Sequence, residues 1–311
     1  MNDRVMKRKN NLLLVRTIQW VSGGLAIMVP PSGLAVLLGV VAELSIGQIL
    51  IAIILPGIIM AILYAIYIVG RCTVDPKVAP AFSVEPVPLS EKLRVTLVHI
   101  VPVSFIIFMV VGVIFLGLAT PSESAASGAL GTFLLACFQR RMNWNVFKKA
   151  MIGSLEISVM LLMIISGALA FTQMLAFTGA TVGLVNTVLS FGTSPIILII
   201  LMLVTVIILG MVMSPVPIML VTLPVFIPIV ENIGFDPIWF AVLFLIAIET
   251  GTTSPPFGAS LFVMKGVAPK GTTMPEIYRA AIPFLVCDVI ALVIVLMFPI
   301  IVMGPIGWMF T

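Results

Sequence analysis

Glu249-Thr250-Gly251-Thr252-Thr253-Ser254-Pro255-Pro256 interrupts an apolar segment that otherwise runs from 238 to 268. A carboxylate, four hydroxyls and two prolines stand there among residues suited to hydrocarbon. Proline removes a backbone donor and disrupts a helical turn, which leaves carbonyls free. Free carbonyls, hydroxyls and a carboxylate are hard oxygen ligands of the kind Na⁺ needs. Glu249, Gly251, Thr252, Thr253 and Ser254 are therefore candidate Na⁺ ligands, since a carboxylate at membrane depth is expensive and functional by default. The alternative is a structural proline kink whose Ser and Thr bond back to their own helix.

The break carries this meaning only in a membrane protein, and composition supplies that condition. Of 311 residues, 61% are hydrophobic and 9% charged, and mean hydropathy is +1.29. Soluble domains carry about a quarter charged residues. A bilayer span takes roughly 20 apolar residues, and long spans satisfy their backbone groups in lipid as helices. The expected class is all-α, a polytopic membrane protein, with apolar segments at 18–42, 45–70, 95–118, 124–138, 150–177, 196–213, 218–232, 238–268 and 280–303.

The net charge of +4 does not point to nucleic acid, because Lys and Arg stand in short clusters between apolar runs with no aromatic interleaving. They act as topology signals. The clusters at 71–94, at Arg140, Arg141, Lys148 and Lys149, and at Lys265, Lys270 and Arg279 all fall on the cytoplasmic side together with the N-terminus. Arg4, Lys7, Arg8, Lys9 and Arg16 precede no short apolar core with a cleavage site, so a cytoplasmic N-terminus is expected rather than a signal peptide. Trp20, Trp144, Trp239 and Trp308 are expected in aromatic belts at the interfaces. Cys72, Cys137 and Cys287 have neither disulfide nor zinc spacing. One histidine, His99, and the lack of a Gly-x-Ser-x-Gly elbow or phosphate loop argue against an enzyme and against ATP hydrolysis.

An internal repeat follows. Pro30-Pro31-Ser32-Gly33, Gly39-Val40-Val41-Ala42 and Ile54-Leu55-Pro56 recur in order as Pro255-Pro256-Phe257-Gly258, Gly266-Val267-Ala268 and Ala281-Ile282-Pro283. The loop after the first copy lacks Lys and Arg and the loop after the second holds three, so the copies are expected in opposite orientation. Inverted repeats with interrupted helices are the architecture of many secondary transporters, whose sites lie where half-helices meet. The expected division is a cytoplasmic segment 1–20, the end of a first repeat with its cytoplasmic loop at 21–94, and a second repeat at 95–311.

Met213-Ser214-Pro215-Val216-Pro217 separates two apolar stretches, of which 218–230 is short for a full crossing. It forms either a re-entrant hairpin covered by protein or an ordinary turn between thin spans. Gly117-Leu118-Ala119-Thr120-Pro121-Ser122-Glu123 is a third polar break. Thr120 or Ser122 could cap the next helix with Glu123 in its first turn, or the break could contribute to a site. Small residues from Ala125 to Gly131 would let that helix pack closely on a neighbour. Asp288, alone in the last span, and Glu156 are further possible coupling carboxylates.

Gly117-Leu-Ala-Thr-Pro-Ser-Glu-Ser-Ala-Ala-Ser-Gly-Ala129, Thr222-Leu-Pro-Val-Phe-Ile-Pro-Ile-Val230 with Gly234-Phe-Asp-Pro237, and Glu249 to Gly258 resemble the large membrane subunit of tripartite ATP-independent periplasmic (TRAP) transporters. Val29-Pro-Pro-Ser32 with Leu55-Pro-Gly57 is similar too, and the resemblance runs from about residue 23 to 303. It implies a bacterial inner-membrane permease that imports organic acids, often C4-dicarboxylates. The importer is driven by Na⁺ as coupling ion and needs no other cofactor. Its implied partners are a small four-helix membrane subunit and a periplasmic substrate-binding protein. Carried over by position, Ser214 joins the Na⁺ ligands. Pro215, Pro217, Pro255 and Pro256 become half of the substrate pocket, and Pro30, Pro31 and Ser32 part of the other half. Thr120 and Glu123 are further substrate candidates. The family's Ser/Gly-rich first hairpin would precede residue 23, so the chain is expected to lack the family's N-terminal part. Ser214 stands where many members carry an acidic residue. Other readings are a fragment that only binds the small subunit, and a stand-alone organic-anion or ion transporter.

Overall fold

In the computed structural model the described residues are 25–74, 88–180, 183, 194–268 and 271–310, all helical or connecting. Five of the helices are long and apolar enough to cross a membrane: Ile46–Val74, Leu89–Gly112, Trp144–Phe171, Pro215–Asn232 and Met274–Met297. The protein is an all-α, multi-pass membrane protein. The chain divides into two compact units, Met1–Ala81 with Ala168–Thr311, and Phe82–Gly167.

In the first unit a short 3₁₀ turn (Leu25–Ile27) leads to α1 (Gly33–Val41), α2 (Ile46–Ala52) and α3 (Ile54–Val74). The segment expected at 18–42 is thus broken just before Ser32, whose hydroxyl caps α1 by accepting from Ala35 N at 3.3 Å. Each buried N-terminus needs such an acceptor, because its first N–H groups have no helical partner. Ser45 caps α2 in the same way, accepting from Gln48 N at 3.4 Å.

Later in the chain, α7 (Pro195–Gly210) and α8 (Pro215–Asn232) are joined at residues 211–214, and Asp236 caps α9 (Pro237–Thr252) through bonds from Ile238 N and Trp239 N. α8 begins earlier than the apolar pattern suggested and reaches 18 residues, long enough to cross. Length therefore does not single out a re-entrant hairpin. α9 is the core of the unit, with every residue from Trp239 to Thr252 buried. It packs against α1, α2, α7 and α8 and against three later helices, α10 (Ala259–Val267), α11 (Met274–Met297) and α12 (Ile300–Phe310). Its 16 residues span about 24 Å at 1.5 Å each, less than a hydrocarbon core of about 30 Å.

Segment 238–268 accordingly divides into α9 and α10, and 280–303 divides at Phe298-Pro299 into α11 and α12. α1 and α10 both have nine residues, and they start and end 226 positions apart. The Pro-Pro bond before each is cis.

The second unit holds a helical run at 89–115, α4, in which π turns at Thr96–Ile100 and Phe108–Gly112 alternate with α turns. It also holds α5 (Pro121–Phe138) and the first part of α6 (Trp144–Phe177). The π turn at Phe108–Gly112 coincides with an outside bond: Ser127 Oγ donates to Met109 O at 3.0 Å, as a widened turn permits. Gly128 and Gly131 of α5 face Val110, Met109 and Ile106 of α4, the close packing that the small residues led us to expect. The faces of α4 and α6 carry exposed Leu, Ile, Phe and Met, which water would not tolerate but lipid does.

Candidate functional site

The polar break between α9 and α10 is built by backbone contact as much as by side chains. A Cβ on Gly251 would come within 2.7 Å of Ile207 O and 2.9 Å of Gly210 Cα, both on α7. Only a pair of glycines lets the two backbones meet there. The contact sets the end of α7, just before the 211–214 turn, against Gly251 and Thr252. The structure thus sets Ile207 and Gly210 of α7 against the Thr/Ser break.

Thr252 Oγ1 donates to Glu249 O at 3.1 Å, Thr253 Oγ1 to Glu249 O at 2.8 Å, and Ser254 Oγ to Thr250 O at 2.6 Å. These are the back-bonds of the proline-kink alternative. They do not remove the oxygens from use, because a hydroxyl that gives away its proton keeps two lone pairs for a cation. The break also lies at the C-terminal end of α9, the negative end of the helix dipole, where the Glu249, Thr250 and Gly251 carbonyls accept from Thr253 N, Ser254 Oγ and Ser254 N. Thr252, Thr253 and Ser254 are all buried, so a cation there would meet these oxygens with little competition from water.

Glu249 behaves differently. It is 3% exposed and two residues from Gly251, about 200° round the helix. Gly251 faces α7, so the Glu249 side chain lies on the side of the helix away from α7. Its carbonyl belongs to the break, where the Thr252 and Thr253 hydroxyls donate to it. Asp288 is 1% exposed and accepts a hydrogen bond from Tyr64 Oη. The sequence offered Asp288 as a possible coupling carboxylate, alone in its span, and gave no sign of Tyr64 or Gly210. An isolated carboxylate in an apolar span was the available signal, since it requires a partner.

The remaining candidates are spread out. Ser214 is exposed and makes no side-chain cap bond, while Pro215 and Pro217 are half-buried in the first turn of α8. Pro255 is half-buried and Pro256 exposed, with Pro256 O accepting from Tyr278 Oη at 2.6 Å. Pro30 and Pro31 repeat this half-buried and exposed pair before α1, but the next residue differs, Ser32 being buried and Phe257 exposed, and Ser32 is occupied as a cap. Thr120 and Glu123 lie in the other unit. There Glu123 Oε2 accepts from Thr120 N at 2.8 Å and Thr120 Oγ1 accepts from Glu123 N at 3.4 Å, a reciprocal capping box that uses both side chains. His99 lies in a π turn of α4, and Glu156 is exposed on α6. Trp20 and Lys270 lie outside the described residues.

The sequence of residues 15–301 matches the family described as "Tripartite ATP-independent periplasmic transporter, DctM component". The chain belongs to this TRAP transporter family. Its relatives are named as transporter permeases rather than as enzymes. The large permease protein DctM of a C4-dicarboxylate TRAP transporter from Pseudomonas aeruginosa is 29% identical over 93% of this chain and 66% of its own length. The 2,3-diketo-L-gulonate TRAP transporter large permease protein YiaN of Escherichia coli K12 is 26% identical over 92% of this chain and 66% of its own. The ectoine TRAP transporter large permease protein TeaC of Halomonas elongata is 24% identical over 89% and 64%. The chain spans about two thirds of the length of these TRAP permeases. Their names cover a dicarboxylate, a sugar acid and a zwitterion.

Proposed function

We propose that this chain is the permease subunit of a Na⁺-coupled importer of organic acids in the bacterial inner membrane, with its N-terminus cytoplasmic. A small four-helix membrane subunit and a periplasmic binding protein are its partners. The observation that carries the sodium part is the Gly210–Gly251 contact. It sets the end of α7 beside the buried hydroxyls at the dipole-negative end of α9. Such an end attracts a small hard cation without a formal charge of its own.

Organic acids suit the same geometry from the other side. α10 begins next to this region, and a helix N-terminus offers unpaired N–H groups to a carboxylate, whereas at the start of α8 Pro215 and Pro217 have no N–H to give. In the described part of this unit Arg71, Lys265 and Arg279 are all exposed, so backbone donors rather than a buried cation would meet the acid. A half-helix end for the cation and a half-helix start for the anion is the arrangement by which interrupted-helix transporters couple two fluxes.

The test is uptake of a labelled C4-dicarboxylate into proteoliposomes holding the complete transporter and its binding protein. An inward Na⁺ gradient is expected to drive accumulation, and replacing Na⁺ by choline to abolish it. Thr252→Ala is expected to raise the Na⁺ concentration for half-maximal uptake on the order of tenfold, about 1.4 kcal/mol, with normal membrane insertion. Uptake indifferent to Na⁺ would overturn the reading, and binding of the small subunit without any flux would favour a scaffold role.

A further inference from the structure

The turn between α9 and α10 has little backbone bonding of its own. Pro255 and Pro256 stand three and four residues after Thr252 and have no N–H, so the Thr252 carbonyl lacks both of its helical donors. One backbone bond closes the turn, from Gly258 N to Ser254 O at 3.1 Å. A contact closes it as well, since a Cβ on Gly258 would collide with the carbonyl oxygens of Thr252 and Ser254. Gly258 thus lies against oxygens of the break, and a shift of residues 256–258 would move them.

These residues are fixed from outside by Tyr278 of α11. Its Oη donates to Pro256 O at 2.6 Å, and among the described residues no backbone N–H reaches that carbonyl. The ring is itself held, packed on the buried cluster of Leu261 and Met264 from α10 with Ile277 and Ala281 from α11. At the far end of α10, Lys265 Nζ donates to Thr272 O, so α10 is fastened to α11 at both ends. The first repeat holds its break differently. There Gly57 of α3 abuts Met28 O, backbone against backbone, and the residue 226 positions before Tyr278 is Ala52, which has no side-chain donor.

We propose that Tyr278 is a positioning residue for transport: through Pro256 and Gly258 it sets the spacing of the oxygens at the α9–α10 break, and with it the affinity for the coupling ion, without touching the ion. The proposal rests on the sodium reading above for the identity of the ion, and on the hydrogen bond and the Gly258 contact for the path. Deleting the hydroxyl leaves the ring and its packing in place. Pro256 is exposed, so water can take up the freed carbonyl, and the turn is loosened while the α10–α11 pair keeps its stability.

The test is uptake of a labelled C4-dicarboxylate by proteoliposomes holding the complete transporter and its binding protein, measured against Na⁺ concentration. Tyr278→Phe is expected to raise the half-saturating Na⁺ concentration about three- to tenfold, the worth of one neutral hydrogen bond, with maximal uptake and thermal stability unchanged. Lys265→Met frees the far end of α10 and is expected to keep the wild-type Na⁺ dependence. Wild-type half-saturation in Tyr278→Phe would overturn the positioning role, and so would lost maximal uptake without a shift, which marks a structural part only. An equal shift in Lys265→Met would overturn it too, by showing that any loosening of α10 suffices. Should Tyr278→Phe fail to insert, Tyr278→Met decides by the same outcomes, since it fills the space without a donor. Uptake indifferent to Na⁺ in the unsubstituted protein would instead sink the Na⁺-coupled function itself.

Discussion

Replacing Trp239 by alanine is expected to lower the stability of the α9-centred unit by about 3–5 kcal/mol, the range for deleting a buried aromatic. Trp239 is 2% exposed, stacks on Phe235 at a centroid distance of 5.1 Å, and donates its indole N–H to Val295 O at 3.1 Å. That bond has a specific reason. Val295 lies in the last turn of α11, and the residue four further on is Pro299, which has no N–H to give. The indole supplies the missing donor inside the protein. Trp239→Phe should therefore cost about 1–3 kcal/mol, because the carbonyl is left buried and unpaired. Unfolding in detergent followed by circular dichroism measures both. A Trp239→Ala change below about 1 kcal/mol would mean that the residue faces lipid, as an aromatic-belt position would.

Gly251→Leu is expected to separate α7 from α9 and to abolish Na⁺-dependent uptake, and Gly251→Ala to destabilise by about 1–3 kcal/mol through overpacking. Helix propensity works the other way, since alanine is about 1 kcal/mol better than glycine in a helix. Overpacking prevails because the atoms facing the new methyl, Ile207 O and Gly210 Cα, are backbone and cannot rotate away. Gly70→Ala in α3 is the control: nothing lies within 4 Å of its added carbon, so unchanged or slightly higher stability is expected. Thermal aggregation of the detergent-solubilised protein ranks the variants. A Gly251→Ala protein as stable as Gly70→Ala would show that the two backbones do not touch.

The α9–α10 break and the Ser214 turn were legible in the sequence because proline and hydroxyl residues cannot be hidden in an apolar run. The capping reading of Thr120 and Glu123 was legible for a similar reason, since Thr-x-x-Glu before a helix is satisfied locally. Less could be read of residues whose role lies in a partner far along the chain. Trp239 appeared to belong to an interface, because aromatic side chains near a span end do so on average; burial against α11 could not be seen. Asp288 was visible as a lone acid, but Tyr64 was one tyrosine among many apolar neighbours.

Composition and local pattern determined that this is an all-α membrane protein with interrupted helices, because lipid dictates segment length and proline dictates where a helix stops. The family follows from the same local motifs. Only tertiary structure decided that Asp288, alone in its span, accepts a hydrogen bond from Tyr64, 224 positions away. A helix rotates about 100° per residue, so neighbours in sequence point to different partners. Which partners stand there depends on packing between helices hundreds of residues apart.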